Sequence, residues 1–273
     1  MLASLLIVFR EVIEAGLIVG IVLAATKGVP CRGRWVAYGI GAGLLGACLV
    51  AVFAGQLAAL FENTGAEIFN ASILILAVGM LTWHNVWMAS HGREIALTVR
   101  RLGTAVATGK RTLSALAVVV GIAVLREGSE VVLFLYGIAS QGGTSVWSLM
   151  FGGALGLAAG ATLSAVIYFG LVAIPVHRLF AVTSGLITLL AAGMATQAVV
   201  FIQQGGYLEV LTATVWDTSW LVPQDSIAGR LLHTLIGYSD TPNGAQLVAY
   251  TLTVAAIAGL MRFEQRRRTP AAG

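Results

Sequence analysis

Charged residues are scarce in this chain. They make up 10% of its 273 residues, whereas 58% are hydrophobic, and the mean hydropathy is +0.90. In a soluble globular domain about a quarter of the residues are charged. The composition therefore excludes a large water-soluble domain. It predicts an all-α integral membrane protein, in which each spanning helix uses about 20 apolar residues.

Cysteine is also scarce, and several chemical signatures are missing. Cys31 and Cys48 are the two cysteines, and neither belongs to a CxxC pattern or a Cys/His pair, which excludes a disulfide framework and a zinc site. The sequence has no paired nucleophile and base and no glycine-rich phosphate loop, so we expect no enzymatic activity. No basic stretch is interleaved with aromatic residues, so nucleic acid is not an expected partner.

Uncharged runs that lie between charged residues predict seven membrane-spanning helices. The run from Val131 to His177 is too long for one helix, and the Gln-Gly-Gly-Thr sequence at 141–144 supplies a turn that divides it. The seven predicted spans are residues 1–26, 35–61, 68–92, 112–140, 145–177, 179–208 and 244–262.

The distribution of Lys and Arg predicts the orientation of these spans. Thirteen of the sixteen lie in loops one, three and five or in the C-terminal tail, and the even loops contain only Arg230. Arg10 and Arg126 lie inside spans. Because loops rich in Lys and Arg stay in the cytoplasm, the N-terminus is predicted to be outside and the C-terminus cytoplasmic.

Residues 205–243 form a long connection before the last span. Its charged residues are Glu209, Asp217, Asp225, Arg230 and Asp240. Trp216 and Trp220 flank Asp217, a pattern that suits an amphipathic segment at the level of the lipid headgroups. We predict an external segment that caps the bundle. A role in gathering cations is the alternative, because an acidic surface raises their local concentration modestly.

Three patterns occur twice at nearly the same spacing, which predicts an internal repeat. The Arg-Glu-x-x-Glu motif at 10–14 recurs at 126–130. A small-residue ladder at 39, 43, 47 and 51 recurs at 152, 156, 160 and 164, and Ala-x-Gly-Met-x-Thr at 77–82 recurs at 191–196. Each repeat has three spans, and the repeats cover residues of about 1–92 and about 112–204. Because three is an odd number, the fourth span crosses the membrane in the direction opposite to the first, so the repeats are inverted. A 3+3 inverted repeat with a seventh helix outside the symmetry is an architecture of secondary transporters, whose substrate site lies near the midplane.

The two Arg-Glu-x-x-Glu motifs place charges in the middle of predicted spans. Each such charge costs about 2.5 to 3.5 kcal/mol, so these side chains must face one another or water. Within a motif the two glutamates share one helix face and the arginine can pair with the second glutamate. The inverted symmetry would then bring both motifs into one cluster. Its predicted members are Glu11, Glu14, Glu127 and Glu130, supported by Arg10 and Arg126.

Two structural ion pairs are one interpretation of this cluster. Four carboxylates and two guanidiniums, however, leave a formal charge of minus two, which protons would have to neutralise in a purely structural network. A bound hard cation such as ferric iron, manganese, magnesium or calcium would neutralise it directly. A proton relay without metal is the other alternative that buried carboxylates allow.

Three further residues are candidates for handling the ion. Glu67 opens the third span and could be the first ligand of an arriving ion, although a carboxylate at a helix start is also favoured by the helix dipole. His84 lies deep in the same span and could be a metal ligand or a hydrogen-bonded structural histidine. Asp217 belongs to the acidic external segment and is a possible accessory residue.

These motifs resemble those of the oxidase-dependent iron permeases, the high-affinity iron transporter family of fungi and bacteria. The stretches at 216–220 and 229–233 also resemble the segment before the last span in bacterial members. The resemblance implies that the four glutamates carry ferric iron as a transported substrate, with no permanently bound cofactor. It also implies an extracytoplasmic iron-oxidising or iron-delivering partner and a place in the bacterial cytoplasmic membrane. Some relatives are associated with other metals, so manganese or lead is the alternative cargo.

Overall fold

The structure is a computed structural model that describes residues 1–61, 66–140, 145–170 and 176–268. Within these ranges the chain forms eight helices, and the one β-bridge joins Thr214 to Asn243. The helices are α1 (Leu2–Ala25), α2 (Arg32–Phe61), α3 (Ala66–Ala107), α4 (Ser114–Ser140), α5 (Val146–Tyr168), α6 (Val176–Gln204), α7 (Ile227–Ile236) and α8 (Gly244–Arg268).

Five of these helices contain a stretch that is long and apolar enough to cross a membrane. The stretches are Arg32–Gln56, Glu67–Met88, Val146–Tyr168, Phe180–Gln204 and Gly244–Glu264. Helices α1 and α4, with 24 and 27 residues, are also long enough to cross a hydrocarbon core, but each has an Arg-Glu-x-x-Glu motif in its middle. The all-helical prediction is confirmed. The turn predicted at 141–144 lies outside the described residues, between the end of α4 and the start of α5.

Three predicted helix ends are wrong. The fifth helix ends at Tyr168 and not at residue 177, and Gly170 follows it in the left-handed conformation that commonly terminates a helix. The third helix does not end at residue 92. It continues to Ala107 and includes Arg93, Arg100 and Arg101, three of the basic residues predicted to lie in loop three. An apolar stripe of Ile95, Val99 and Val106 continues along it and packs onto α1 and α4, which stabilises the helix beyond the apolar run. At about 1.5 Å per residue its 42 residues span about 63 Å, twice the thickness of a hydrocarbon core.

The last helix is also longer than predicted. It continues past residue 262 to Arg268. As in α3, the charged residues that mark the end of the apolar run do not end the helix, because Arg, Gln and Glu are good helix formers when they lie in water.

Helices pair across the two predicted repeats. Helix α1 packs along α5, and α2 packs along α4, while α3 packs against α6. The predicted small-residue ladders form the first two contacts. A Cβ atom on Gly43 would lie 2.8 Å from the Gly121 carbonyl oxygen of α4, and one on Gly156 would lie 2.5 Å from the Leu5 carbonyl oxygen of α1. Small residues therefore let these backbones approach closely, as in other membrane helix pairs.

Buried apolar side chains form two clusters along the bundle. The first includes Ile7, Leu81 and Phe134 from α1, α3 and α4, and the second includes Val22 and Val120 from α1 and α4. Between these clusters, α1, α3 and α4 contribute the buried polar and charged residues Arg10, Glu11, Glu14, His84, Asn85 and Glu127. The apolar packing thus leaves one polar layer in the middle of the bundle.

The connection between α6 and α8 is irregular except for the short helix α7. Trp216 and Trp220 are exposed, as an interfacial segment requires. The segment is fastened by Tyr238, whose hydroxyl group donates to the Val222 carbonyl oxygen over 3.0 Å and hydrogen-bonds Thr218. Helix α7 was not predicted. Its signal is the cap pair of Ser226, which accepts a hydrogen bond from Gly229, and Gly237 in the left-handed conformation.

Candidate metal centre

Helix α1 contributes three buried charged residues to the middle of the bundle. Arg10 and Glu14 are one helical turn apart, so their side chains meet on one face, with 3.0 Å between Arg10 Nε and Glu14 Oε1. A nitrogen of the same guanidinium lies 3.8 Å from Glu11 Oε1. All three side chains are almost completely buried.

Helix α4 repeats this arrangement with one difference. Arg126 donates a hydrogen bond of 3.2 Å from Nε to Glu130 Oε1, and its Nε also lies 3.9 Å from Glu127 Oε1. Glu127 is buried, as Glu11 is. The Arg126 side chain, however, is 35% exposed, whereas that of Arg10 is 2% exposed. The two motifs are therefore equivalent in sequence and different in their surroundings.

His84 of α3 lies between the two motifs. Its Nε2 atom is 3.3 Å from Glu14 Oε2 and 3.7 Å from Glu11 Oε2, and its Nδ1 atom contacts Glu130 Oε2. One ligand atom from each of four residues lies within 4.8 Å of the others, and these residues are Glu11, His84, Glu127 and Glu130. The structure thus brings His84 together with three of the four predicted glutamates. Glu14 is not a member of this group, although its Oε2 atom lies beside His84.

Most carboxylate oxygens in this cluster accept no hydrogen bond of good geometry. Both oxygens of Glu11 and of Glu14, and one each of Glu127 and Glu130, are buried without a hydrogen bond. The guanidinium and imidazole nitrogens lie close to these oxygens, but most of the contacts do not have the geometry of a hydrogen bond. Buried carboxylates in this condition are unfavourable unless a proton or a cation neutralises them. The cluster therefore has the charge and the free oxygens to take up a cation.

A cavity of about 1400 Å³ leads to this cluster from one side of the bundle. Its walls come from the second halves of α1, α3 and α8 and from the first halves of α4 and α6, and they are mostly apolar. At its inner end lie Arg10, Glu14, Arg126 and Glu127. The cavity therefore ends against the buried glutamates Glu14 and Glu127 and the partly exposed Arg126.

The sequence as a whole matches one known protein family. A sequence model of the iron permease FTR1 family matches residues 1–270. The chain belongs to this iron permease family.

Individual relatives support the assignment. The chain is 29% identical over 254 residues to the ferrous iron permease EfeU of Escherichia coli O157:H7, and equally so to that of Shigella sonnei, covering 92% of this chain and 91% of each relative. It is 28% identical over 255 residues to the EfeU protein of Yersinia pestis, covering 92% of this chain and 89% of that protein. No solved structure matches. The chain is therefore an iron-transporting membrane protein of the permease type, with several spans in the bacterial plasma membrane.

Glu67 and Asp217, which were predicted as possible entry or accessory residues for the ion, lie away from the cluster. Glu67 is exposed at the start of α3, 17 residues before His84, which is about 25 Å along the helix. Asp217 is exposed in the irregular segment, where it accepts hydrogen bonds from the Ser219 hydroxyl group and backbone amide at 2.6 and 2.9 Å. These bonds lower the pKa of Asp217 below its ordinary value, since they favour the charged form.

A hydrogen-bonded group beside the cluster was missed by the sequence analysis. Asn85 donates to the Ser184 carbonyl oxygen and to Thr188 Oγ1, both at 3.2 Å, and accepts from Ser184 Oγ at 2.5 Å. These bonds fasten α3 to α6 at the residue next to His84. The available signal was the His-Asn pair within an otherwise uncharged run, because a buried polar pair needs partners.

Proposed function

We propose that this permease imports iron through a site formed by Glu11, Glu14, Glu127 and Glu130, with His84 as a fifth ligand and ferric ion as the species carried. The observation that carries the proposal is the group of buried carboxylates from two helices, six of whose oxygens make no directed hydrogen bond. Arg10 and Arg126 support the site by orienting the carboxylates.

The charge of the cluster favours a highly charged hard cation. With a neutral imidazole the four carboxylates and two guanidiniums leave a formal charge of minus two. Carboxylate oxygens are hard ligands, and imidazole also suits iron. The relatives are named ferrous iron permeases, so Fe²⁺, manganese and lead are the competing cargoes to test. Proton relay by the same carboxylates is the function without metal.

The membrane arrangement in this proposal has seven spans, with α1 and α4 crossing in opposite directions. The pairing of α1 with α5 and of α2 with α4 supports an inverted repeat, because exchanging the two repeats converts one pair into the other. The distribution of Lys and Arg supports an external N-terminus and a cytoplasmic C-terminus.

In this orientation the walls of the cavity belong to the cytoplasmic halves of their helices. The cavity would then be the exit path for iron. A membrane potential of 100 mV contributes about 2.3 kcal/mol per charge, or roughly 7 kcal/mol for a trivalent ion moving inward. The proposal includes an extracytoplasmic protein that oxidises or delivers iron, as the family resemblance implies.

Uptake into proteoliposomes tests the proposal. Chelated Fe³⁺, Fe²⁺ under a reductant, Mn²⁺ and Pb²⁺ are offered in turn, and the pH inside the vesicles is recorded. Glu127→Gln should take up less than a tenth of the iron taken up by the wild type, because an amide replaces an anionic ligand poorly. Glu209→Gln, which removes an exposed carboxylate, is the control. Proton movement without metal uptake would favour the relay, and a preference for another ion would change the assigned cargo.

A further inference from the structure

The two arginines of the cluster have different neighbours. Arg10 is buried against Glu11 and Glu14. Arg126 lies at the inner end of the cavity, and its guanidinium carbon is 4.3 Å from the centroid of the Trp87 ring. A guanidinium at this distance over an indole ring is attracted to the ring face. Arg126 is therefore held from two sides, by Glu130 and by Trp87.

The Trp87 ring has a fixed position of its own. It stacks on the His91 ring one turn further along α3, with 4.9 Å between the centroids and 12° between the planes. The His91 Nδ1 atom lies 3.2 Å from the Trp87 carbonyl oxygen. Trp87 thus offers Arg126 an ordered aromatic face in the wall of the cavity.

A metal ion bound by Glu127 and Glu130 would have to share their carboxylate oxygens with Arg126. Its guanidinium can bind two oxygens at once, and Glu127 and Glu130 are both within reach. Any interaction that holds the guanidinium on the cavity side leaves more carboxylate oxygens for an ion. Trp87 provides such an interaction.

We propose, on the basis of the function proposed above, that Trp87 is a positioning residue for iron binding. It holds the Arg126 guanidinium at the cavity side of the cluster, so that Glu127 and Glu130 can bind the ion.

Ferric ion binding to the purified full-length permease, titrated with chelated Fe³⁺, tests the proposal. Trp87→Leu should weaken the affinity by about two- to thirtyfold, the range that loss of a cation–π contact allows. Trp87→Phe keeps an aromatic face and should stay within about threefold of the wild type. Trp83→Leu is the matched control, since Trp83 lies on the same helix with 71% of its surface exposed.

The same substitution in a protein that lacks the Arg126 guanidinium distinguishes a positioning role of Trp87 from a purely structural one. In an Arg126→Gln protein, Trp87→Leu should cause no further loss of iron affinity, because the guanidinium that Trp87 holds is gone. An equal loss in both backgrounds, or wild-type affinity in the single Trp87→Leu variant, would overturn the proposal. A wild-type protein that binds no Fe³⁺, or a Glu127→Gln variant that binds it normally, would overturn the proposed function instead and this inference with it.

Discussion

At the scale of single residues, the cluster depends on charges that cannot be exchanged freely. Arg10 reaches Glu14 through Nε and Glu11 through a terminal nitrogen, which only a planar guanidinium can do. Lysine would keep the positive charge and lose this fork. The arginines are therefore expected to orient the glutamates as well as to neutralise them.

Arg10→Lys should accordingly impair the protein more than Arg126→Lys. Arg10 is buried, and the loss of one charged contact there should lower the free energy of unfolding by about 1.5 to 3 kcal/mol and reduce iron uptake several-fold. Arg126 is partly exposed, so its replacement should affect stability less. Thermal unfolding in detergent and uptake by the same preparations measure both effects. Normal uptake by both variants would leave only a requirement for charge.

His84 shows where inference from the sequence was limited. Both glutamate pairs could be predicted, because charged residues in a membrane span must find partners and the motif occurs twice. His84 has no such support, since the equivalent position in the second repeat is Ala198. Only the packing of α3 against α1 and α4 shows that its ring lies between the glutamates.

At the scale of helices, the apolar runs predicted where each helix lies more accurately than where it ends. Charged residues mark where a helix leaves the hydrocarbon, but a helix can continue in water, as α3 does through Arg100. Helix α7 was missed although apolar residues at 227, 231, 232, 235 and 236 share one face of a helix, because a ten-residue pattern inside a long connection was not separated from its surroundings. The helix pairs, by contrast, follow from ladders of small residues that the sequence displays directly.

A substitution in one ladder tests this packing. Gly43→Leu should lower the free energy of unfolding by about 1 to 3 kcal/mol or prevent folding, because its Cβ would lie 2.7 Å from Val124 and 2.8 Å from the Gly121 carbonyl oxygen. Gly41→Leu is the matched control on the same helix, with no atom within 4 Å of its Cβ. Thermal unfolding of both variants in detergent is the measurement. Equal melting temperatures would contradict close packing of α2 on α4.

At the scale of the whole molecule, two similar repeats have different surroundings. Both arginines line the cavity, but the Arg126 side chain is partly exposed and the Arg10 side chain is buried. A transporter that opens to one side at a time would have this asymmetry, and in the proposed orientation the open side is the cytoplasm.

Reporter fusions test this orientation. Reporters after Arg34, after Gly109 and at the C-terminus should give cytoplasmic signals, whereas reporters near Asn63, Gly143 and Pro223 should give external ones, following the distribution of Lys and Arg. Gly109 lies just after the last residue of α3, Ala107, in the connection to α4. A cytoplasmic signal at Pro223 would place the connection before α8, including α7, in the cytoplasm and would contradict the predicted orientation.

The central claim is that the glutamates hold a transported ion and are not merely partners of arginine. The double variant Arg10→Met with Glu14→Leu tests it most directly, because it replaces a buried ion pair by apolar side chains of similar size, a change that is often neutral or stabilising. We expect a melting temperature near that of the wild type and no iron uptake into proteoliposomes. Uptake at the wild-type rate by this folded double variant would contradict the metal-site assignment.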